Sequence, residues 1–180
     1  MEEFKKKIKL ISRDLKYKGS IMDIYDDTVD VDGHIVHWDY IGKCDAASVV
    51  PLLPNGNIVM VRQYRLAVDE WTIELPAGKI DGDEDYLVCV KRELEEEAGY
   101  KSDSIEFLCD VYTASAFCSE IVRVFVASNL VKGTQHFDRD EEVIVEEWTP
   151  DDLKKEIYDG KLKDGKTVSG LMTYFTKFKI

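Results

Sequence analysis

The feature that most constrains the fold is an amphipathic helix that is predicted to end at Gly99 and that carries a glutamate cluster beside its apolar stripe. Asp81 or Asp83 is suited to cap its start, and Gly99 is suited to the position just past its end. The apolar stripe recurs at three- and four-residue spacing: Leu87, Val90, Leu94 and Ala98. Such a helix has to pack its stripe against another layer of structure.

The segments around this helix indicate β-strands. Residues 20–38 are predicted to form two strands joined at the Asp32-Gly33 turn, and residues 47–53 and 58–64 a second hairpin. Further strands are predicted at 71–75, 105–112, 121–127 and 143–148, and two helices from Pro150 and over about 168–178. The pattern predicts an α+β sandwich with mostly antiparallel strands. Residues 1–45 are interpreted as a small N-terminal β extension, and residues 46–180 as the main domain.

Charge and composition exclude several classes of partner. The net charge of −12 over 180 residues argues against nucleic acid, because a phosphate backbone requires a basic surface. The apolar runs are too short to span a membrane, and the N-terminus lacks the apolar stretch of a signal peptide, so a cytoplasmic protein is expected. No Cys-x-x-Cys pair occurs, which favours buried free thiols over zinc ligands at the four cysteines, Cys44, Cys89, Cys109 and Cys118.

The glutamates of the helix indicate metal chemistry. Glu93, Glu96 and Glu97 stand at positions i, i+3 and i+4 and therefore share one helix face. Like charges at this spacing destabilise a helix by a few tenths of a kcal/mol per pair, whereas Mg²⁺ or Mn²⁺ requires converging carboxylates. For a helix of this composition alone, a solvated acidic face is the better interpretation.

The spacing of the residues before and within the helix favours the metal site over the solvated acidic face. Gly78, five residues, Glu84, seven residues and then Arg92-Glu93-Leu94-x-Glu96-Glu97-x-Gly99 match the Nudix box at every fixed position. Tyr100 stands where a small aliphatic residue is usual. The chain thus resembles the Nudix hydrolases, which implies an α/β/α sandwich and metal-dependent cleavage of a diphosphate linked to another group.

The resemblance also implies roles for the box residues. Glu93 and Glu97 would be the principal ligands of Mg²⁺ (or Mn²⁺), and Glu96 would bind the metal directly or through a water. The Ala77 carbonyl is a further candidate ligand. Arg92 would orient a glutamate by a bidentate pair, and Gly78 would give the loop its backbone freedom.

Beyond the box, the chain is similar to the ADP-ribose pyrophosphatases and their nucleoside-diphosphate-sugar relatives, on the segments 61–65 and 71–78. This resemblance implies that Arg65 contacts the substrate phosphates. Trp38 stands where the group tends to have arginine, and both base stacking and ordinary core packing are open for it. The candidate substrate-binding residues are Arg65, Glu74, Trp38, Lys43 and Glu120.

The acidic segment 138–142 resembles the family's closing loop. Glu142 best fits a further metal ligand, and either Glu142 or Asp140 fits the catalytic base. Without the box, a solvated turn would be the better interpretation. The candidate catalytic residues are therefore Glu93, Glu142 and Asp140.

The substrate is less constrained than the chemistry. Ser115 stands where a proline marks preference for ADP-ribose, so another nucleotide sugar such as GDP-mannose is the alternative. A non-catalytic Nudix-like sensor ranks below both enzymes, because no box glutamate is lost. The resemblance also implies a homodimer in which the N-terminal extension helps to form the partner's pocket.

Overall fold

The computed structural model describes residues 7–42, 45–136 and 142–180. They divide into two compact units. The first is the described part of Met1–Cys44 together with Tyr112–Glu120, and the second is Asp45–Val111 together with Ile121–Ile180.

The first unit contains an antiparallel sheet of three strands, β1 (Ile8–Lys18), β2 (Asp23–Val31) and β3 (His34–Gly42), in the order β1-β2-β3. The predicted turn is confirmed: Asp32 and Gly33 have φ angles of 52° and 88°, the left-handed geometry of a tight hairpin. Strand β1 was not predicted. Register shifts at Leu10/Ser12 and Leu15/Tyr17 interrupt its pairing, so its sequence lacks the alternation that reveals a strand.

The described part of the second unit contains nine strands and three helices. The strands are β4 (Ala46–Pro51), β5 (Ile58–Arg65), β6 (Glu70–Glu74), β7 (Ala77–Lys79), β8 (Tyr100–Lys101), β9 (Ser104–Tyr112), β10 (Ile121–Ser128), β11 (Val131–Lys132) and β12 (Val143–Trp148). The helices are α1 (Tyr86–Glu96), α2 (Pro150–Tyr158) and α3 (Gly165–Phe178). Within the part of the chain that the structure describes, no helix is long and apolar enough to cross a membrane.

The main sheet has the order β7-β4-β10-β9 and separates two apolar cores. Neighbouring residues of β4 face opposite sides, so that Val49 packs with Val90 and Leu94 of α1, while Val50 packs with Leu153 and Leu171 of α2 and α3. The predicted α+β sandwich with helices on both faces is therefore confirmed. Pairing is mostly antiparallel, apart from the parallel pair β4–β10.

The predicted hairpin of residues 47–53 and 58–64 is wrong. Only an isolated bridge, Leu52 to Ile58, links the two segments. Strand β5 instead lies between β12 and β6 in a second sheet, β12-β5-β6. Because residues 47–51 are all buried, β4 needs a strand on each side, and β7 and β10 supply them.

Helix α1 begins later than predicted. Its N-cap is Asp85, whose carboxylate accepts from Leu87 N at 2.8 Å, rather than Asp81 or Asp83. Asp81 is held in a preceding turn, where its N–H donates to Glu84 at 2.9 Å. Leu87 is consequently 40% exposed, and the buried stripe begins at Cys89. Gly99 follows the helix at φ 71°, as predicted.

Candidate active site

The Arg92 guanidinium connects three carboxylates at the end of α1. Its Nη1 donates to Glu93 Oε1 at 2.5 Å and to Glu96 Oε2 at 3.0 Å. Its Nη2 donates to Glu84 Oε1 at 2.7 Å and to the Lys79 carbonyl at 3.0 Å. The predicted bidentate pair with a single glutamate is therefore wrong, because the guanidinium distributes its donors among three. The bond to Glu84, followed by those to Glu96 and Glu93, raises the pKa of Arg92, which stays charged.

Glu97 is buried at the C-cap of α1 and is held from two strands. Its Oε1 accepts from Gln63 Nε2 of β5 at 2.8 Å, and its Oε2 accepts from the Ala77 N–H of β7 at 2.9 Å. Sequence reasoning assigned a role to the Ala77 carbonyl, which stays a prediction. It missed both Gln63 and the Ala77 N–H, because each bond joins residues far apart in the chain.

Gly78 gives the Glu93 carboxylate the space that it occupies. A Cβ added at Gly78 would overlap the Glu93 carboxyl group. Gly78 lies in strand β7 and is not among the glycines with positive φ. The predicted need for backbone freedom is therefore wrong: the residue is small because a carboxylate packs against its Cα.

The donor set at the end of α1 fits a hard divalent cation. Among residues 7–42, 45–136 and 142–180, no three His, Cys, Asp or Glu side chains converge as a ready ligand group. The Arg92 nitrogen instead bridges Glu93 and Glu96, which shows that this position already stabilises positive charge. Carboxylate oxygens are the ligands that Mg²⁺ and Mn²⁺ prefer. Glu93, Glu96 and Glu97 are the residues that could hold such an ion.

A second charged group lies where β6 meets α3. Arg65 Nε and Nη2 each donate to a different oxygen of Glu74 at 2.7 Å, and Lys166 Nζ also contacts that carboxylate. Burial would raise the pKa of Glu74, but Arg65, Lys166 and Thr72 hold it at about 2. Glu74 is buried, whereas the Arg65 side chain remains 47% exposed. Sequence reasoning missed Lys166, which lies 92 residues from Glu74.

Glu142 is exposed and comes immediately before β12. The first residue of that strand, Val143, pairs with Gln63, the partner of Glu97. The chain at Glu142 thus enters the second sheet beside the position that holds Glu97. Asp140 and Lys43 lie outside the described residues.

Trp38 and Glu120 belong to the first unit. Trp38 is 46% exposed, which excludes ordinary core packing. It lines a cavity of about 310 Å³ together with Asp27, Tyr40, Tyr112, Ser115 and Phe117. Glu120 accepts from Thr113 Oγ1 at 2.6 Å and does not line this cavity.

Buried glutamates at the end of α1 thus lie against strand β7, and the Arg65–Glu74 pair lies on the neighbouring sheet. The NUDIX domain model matches residues 42–168, and the chain belongs to the Nudix family.

Relatives with assigned names cover most of the chain. An ADP-ribose pyrophosphatase of Bacillus subtilis is 32% identical over 162 residues, 88% of each chain. A methanol dehydrogenase activator of Bacillus methanolicus is 32% identical over 163 residues, 89% of this chain and 88% of its own. A GDP-mannose pyrophosphatase of Yersinia enterocolitica is 33% identical over 124 residues, 64% of each chain.

One solved structure, described as an ADP compounds hydrolase, matches 99% of this chain and 97% of its own with a TM-score of 0.88. At 18% identity, this likeness concerns the fold alone.

The Glu74 group predicts a pH-dependent stability. Because the pKa of Glu74 is lowered from 4.5 to about 2, its contribution is fully present above about pH 5 and is lost as the pH falls toward 2. Replacing Glu74→Gln should lower the free energy of unfolding by about 3 kcal/mol near pH 7, and by much less near pH 2. Urea denaturation across this pH range measures the difference.

Glu70→Gln is the matched control, because it removes an exposed pair with Lys163. Its effect should stay below about 1 kcal/mol. A Glu74→Gln effect that is the same at every pH would contradict the assignment.

Proposed function

We propose that the chain hydrolyses the diphosphate bond of ADP-ribose or a related nucleoside diphosphate sugar with the help of Mg²⁺ or Mn²⁺. The products would be a nucleoside monophosphate and a sugar phosphate. The observation that carries the proposal is the packing of Glu93 and Glu97 against the Ala77-Gly78 segment, with Glu96 linked to Glu93 through Arg92. The names of the Bacillus subtilis and Yersinia enterocolitica relatives support this substrate class.

In this proposal, each group of the site has a separate task. A bound cation would neutralise charge on the diphosphate oxygens and lower the pKa of a water. Glu93 and Glu97 hold that ion, with Glu96 as their partner. The half-exposed Arg65 guanidinium donates to the phosphate oxygens, while buried Glu74 fixes its orientation. Glu142 or Asp140 accepts a proton from the attacking water.

The cavity of the first unit supports a role in recognising the base. Its aromatic side chains, Trp38, Tyr40, Tyr112 and Phe117, offer faces on which a nucleobase can stack. Ser115 is part of the same lining. The ADP-ribose enzymes that this chain resembles have a proline at this position. GDP-mannose is therefore the second candidate substrate, and the similarity to the GDP-mannose pyrophosphatase of Yersinia enterocolitica favours it.

A panel of nucleotide sugars, assayed with Mg²⁺ and with Mn²⁺ and resolved by product chromatography, tests the function. We expect ADP-ribose or GDP-mannose to be cleaved. Glu93→Gln and Glu97→Gln should each lower turnover by about 100-fold or more, since loss of one charge-stabilising group costs about 10²–10³-fold. Volume hardly changes, so circular dichroism should show that both variants fold.

Glu95→Gln is the control on the same helix, because Glu95 pairs with Lys101 and not with Arg92. It should keep wild-type turnover. Near-normal turnover of Glu93→Gln or Glu97→Gln at saturating metal would refute the proposal. Binding of a nucleotide sugar by the wild-type chain without any hydrolysis would instead favour the sensor.

The closing loop is tested separately. We expect Glu142→Gln to lower kcat by roughly 10²-fold, the scale of general-base loss, and Asp140→Asn tests the alternative base. KM should change much less, because neither residue is proposed to bind the nucleotide. Steady-state kinetics would show the opposite pattern, with kcat kept and KM raised in both variants, if the loop only binds substrate.

We also propose a homodimer that uses the first unit. A sheet of three strands is too small to bury a core of its own. Strand β1 is an edge strand and exposes five large apolar side chains, Ile8, Leu10, Ile11, Leu15 and Tyr17. A second copy of the chain would cover them.

Light scattering at micromolar concentration should give the mass of a dimer. Leu15→Lys should shift the protein toward monomer, whereas Leu66→Lys, at an exposed position of the β5–β6 turn, should not. A fully active wild-type monomer would contradict this proposal.

A further inference from the structure

We infer that Gln63 is a positioning residue for the Glu97 carboxylate and thereby sets the affinity of the site for a divalent cation. The inference rests on the proposed function, in which Glu97 is a metal ligand. Gln63 lies on β5, outside the Nudix box, and is 8% exposed.

The direction of the hydrogen bond is fixed by chemistry. An ionised carboxylate only accepts hydrogen bonds, so the Gln63 amide has to present its nitrogen to Glu97 Oε1, at 2.8 Å. The Ala77 N–H holds the other oxygen at 2.9 Å. The two donors therefore hold the carboxylate at both of its oxygens and fix the direction in which it faces.

The backbone of Gln63 is itself well fixed. Gln63 pairs with Val143 on one side and with Thr72 on the other, because β5 is the central strand of its sheet. The Thr72 hydroxyl also donates to the Gln63 carbonyl at 3.2 Å. A side chain that extends from such a position loses little further entropy when it orients a ligand.

The neutrality of the donor matters. Glu93 and Glu96 accept from a guanidinium, whose charge competes with an incoming cation. The Gln63 amide and the Ala77 N–H are neutral donors, so neither of these two contacts adds positive charge beside Glu97. These two hydrogen bonds therefore fix the Glu97 rotamer without themselves repelling Mg²⁺ or Mn²⁺.

The test is Mn²⁺ binding to the intact protein without substrate, measured by electron paramagnetic resonance. Gln63→Met keeps the volume but removes the donor, and we expect it to raise the Kd for Mn²⁺ about tenfold, as loss of a ligand's partner does. Gln63→Asn, whose amide is one methylene shorter, should also raise it. Circular dichroism confirms that both variants fold under the conditions of measurement.

The chain offers a matched control. Gln135 Nε2 donates at 2.8 Å to the main-chain carbonyl of the same Glu97, rather than to its carboxylate. Gln135→Met should therefore leave the Kd unchanged. A merely structural role for Gln63 would lower thermal stability but not Mn²⁺ affinity.

Measuring Mn²⁺ binding to Glu97→Gln as well distinguishes a failure of the inference about Gln63 from a failure of the proposed function. If Glu97→Gln weakens Mn²⁺ binding but the folded Gln63 variants bind like wild type, the inference is overturned and the proposed function stands. If Glu97→Gln binds Mn²⁺ like wild type, the proposed function fails, and the role of Gln63 fails with it.

Discussion

The structure depends on compensating a set of glutamates that destabilise the helix end on which they lie. Glu93, Glu96 and Glu97 repel one another, and they lie at the C-terminal end of α1, where the helix dipole also disfavours negative charge. Arg92 compensates two of them, and donors from β5 and β7 hold the third. These contacts, together with the apolar stripe of α1, fix the helix against the sheets.

Helix α1 and strands β5 and β7 meet at Glu97, and α3 holds the chain just before β7. Strand β6 leads directly into the segment that supplies the Ala77 N–H, and α3 holds the end of β6. The buried Thr167 hydroxyl accepts from Leu75 N at 2.9 Å, next to the contact of Lys166 with Glu74. The C-terminal helix is thus part of the framework of the site although its sequence resembles no catalytic motif.

Local patterns predicted the parts of this structure that short-range physics determines. The spacing of Glu93, Glu96 and Glu97 placed them on one face, and Asp32-Gly33 marked a hairpin. Strand β1 was not predicted, because its bulges break the alternation of apolar and polar residues. The predicted pairing of β4 with β5 was wrong, because residues 54–57, Pro-Asn-Gly-Asn, resemble a hairpin turn. Gln63 and Lys166 act across long sequence separations, which no local spacing reveals.

The parallel pairing of β4 with β10 has a consequence for how the chain folds. Asp45 beside β4 and Ile121 at the start of β10 are bonded across 76 residues, so closing this contact costs much loop entropy. During synthesis, the apolar row of β4 leaves the ribosome long before its parallel neighbour exists. The main sheet is therefore completed late, and until then the apolar side chains of β4 remain exposed to association with other chains.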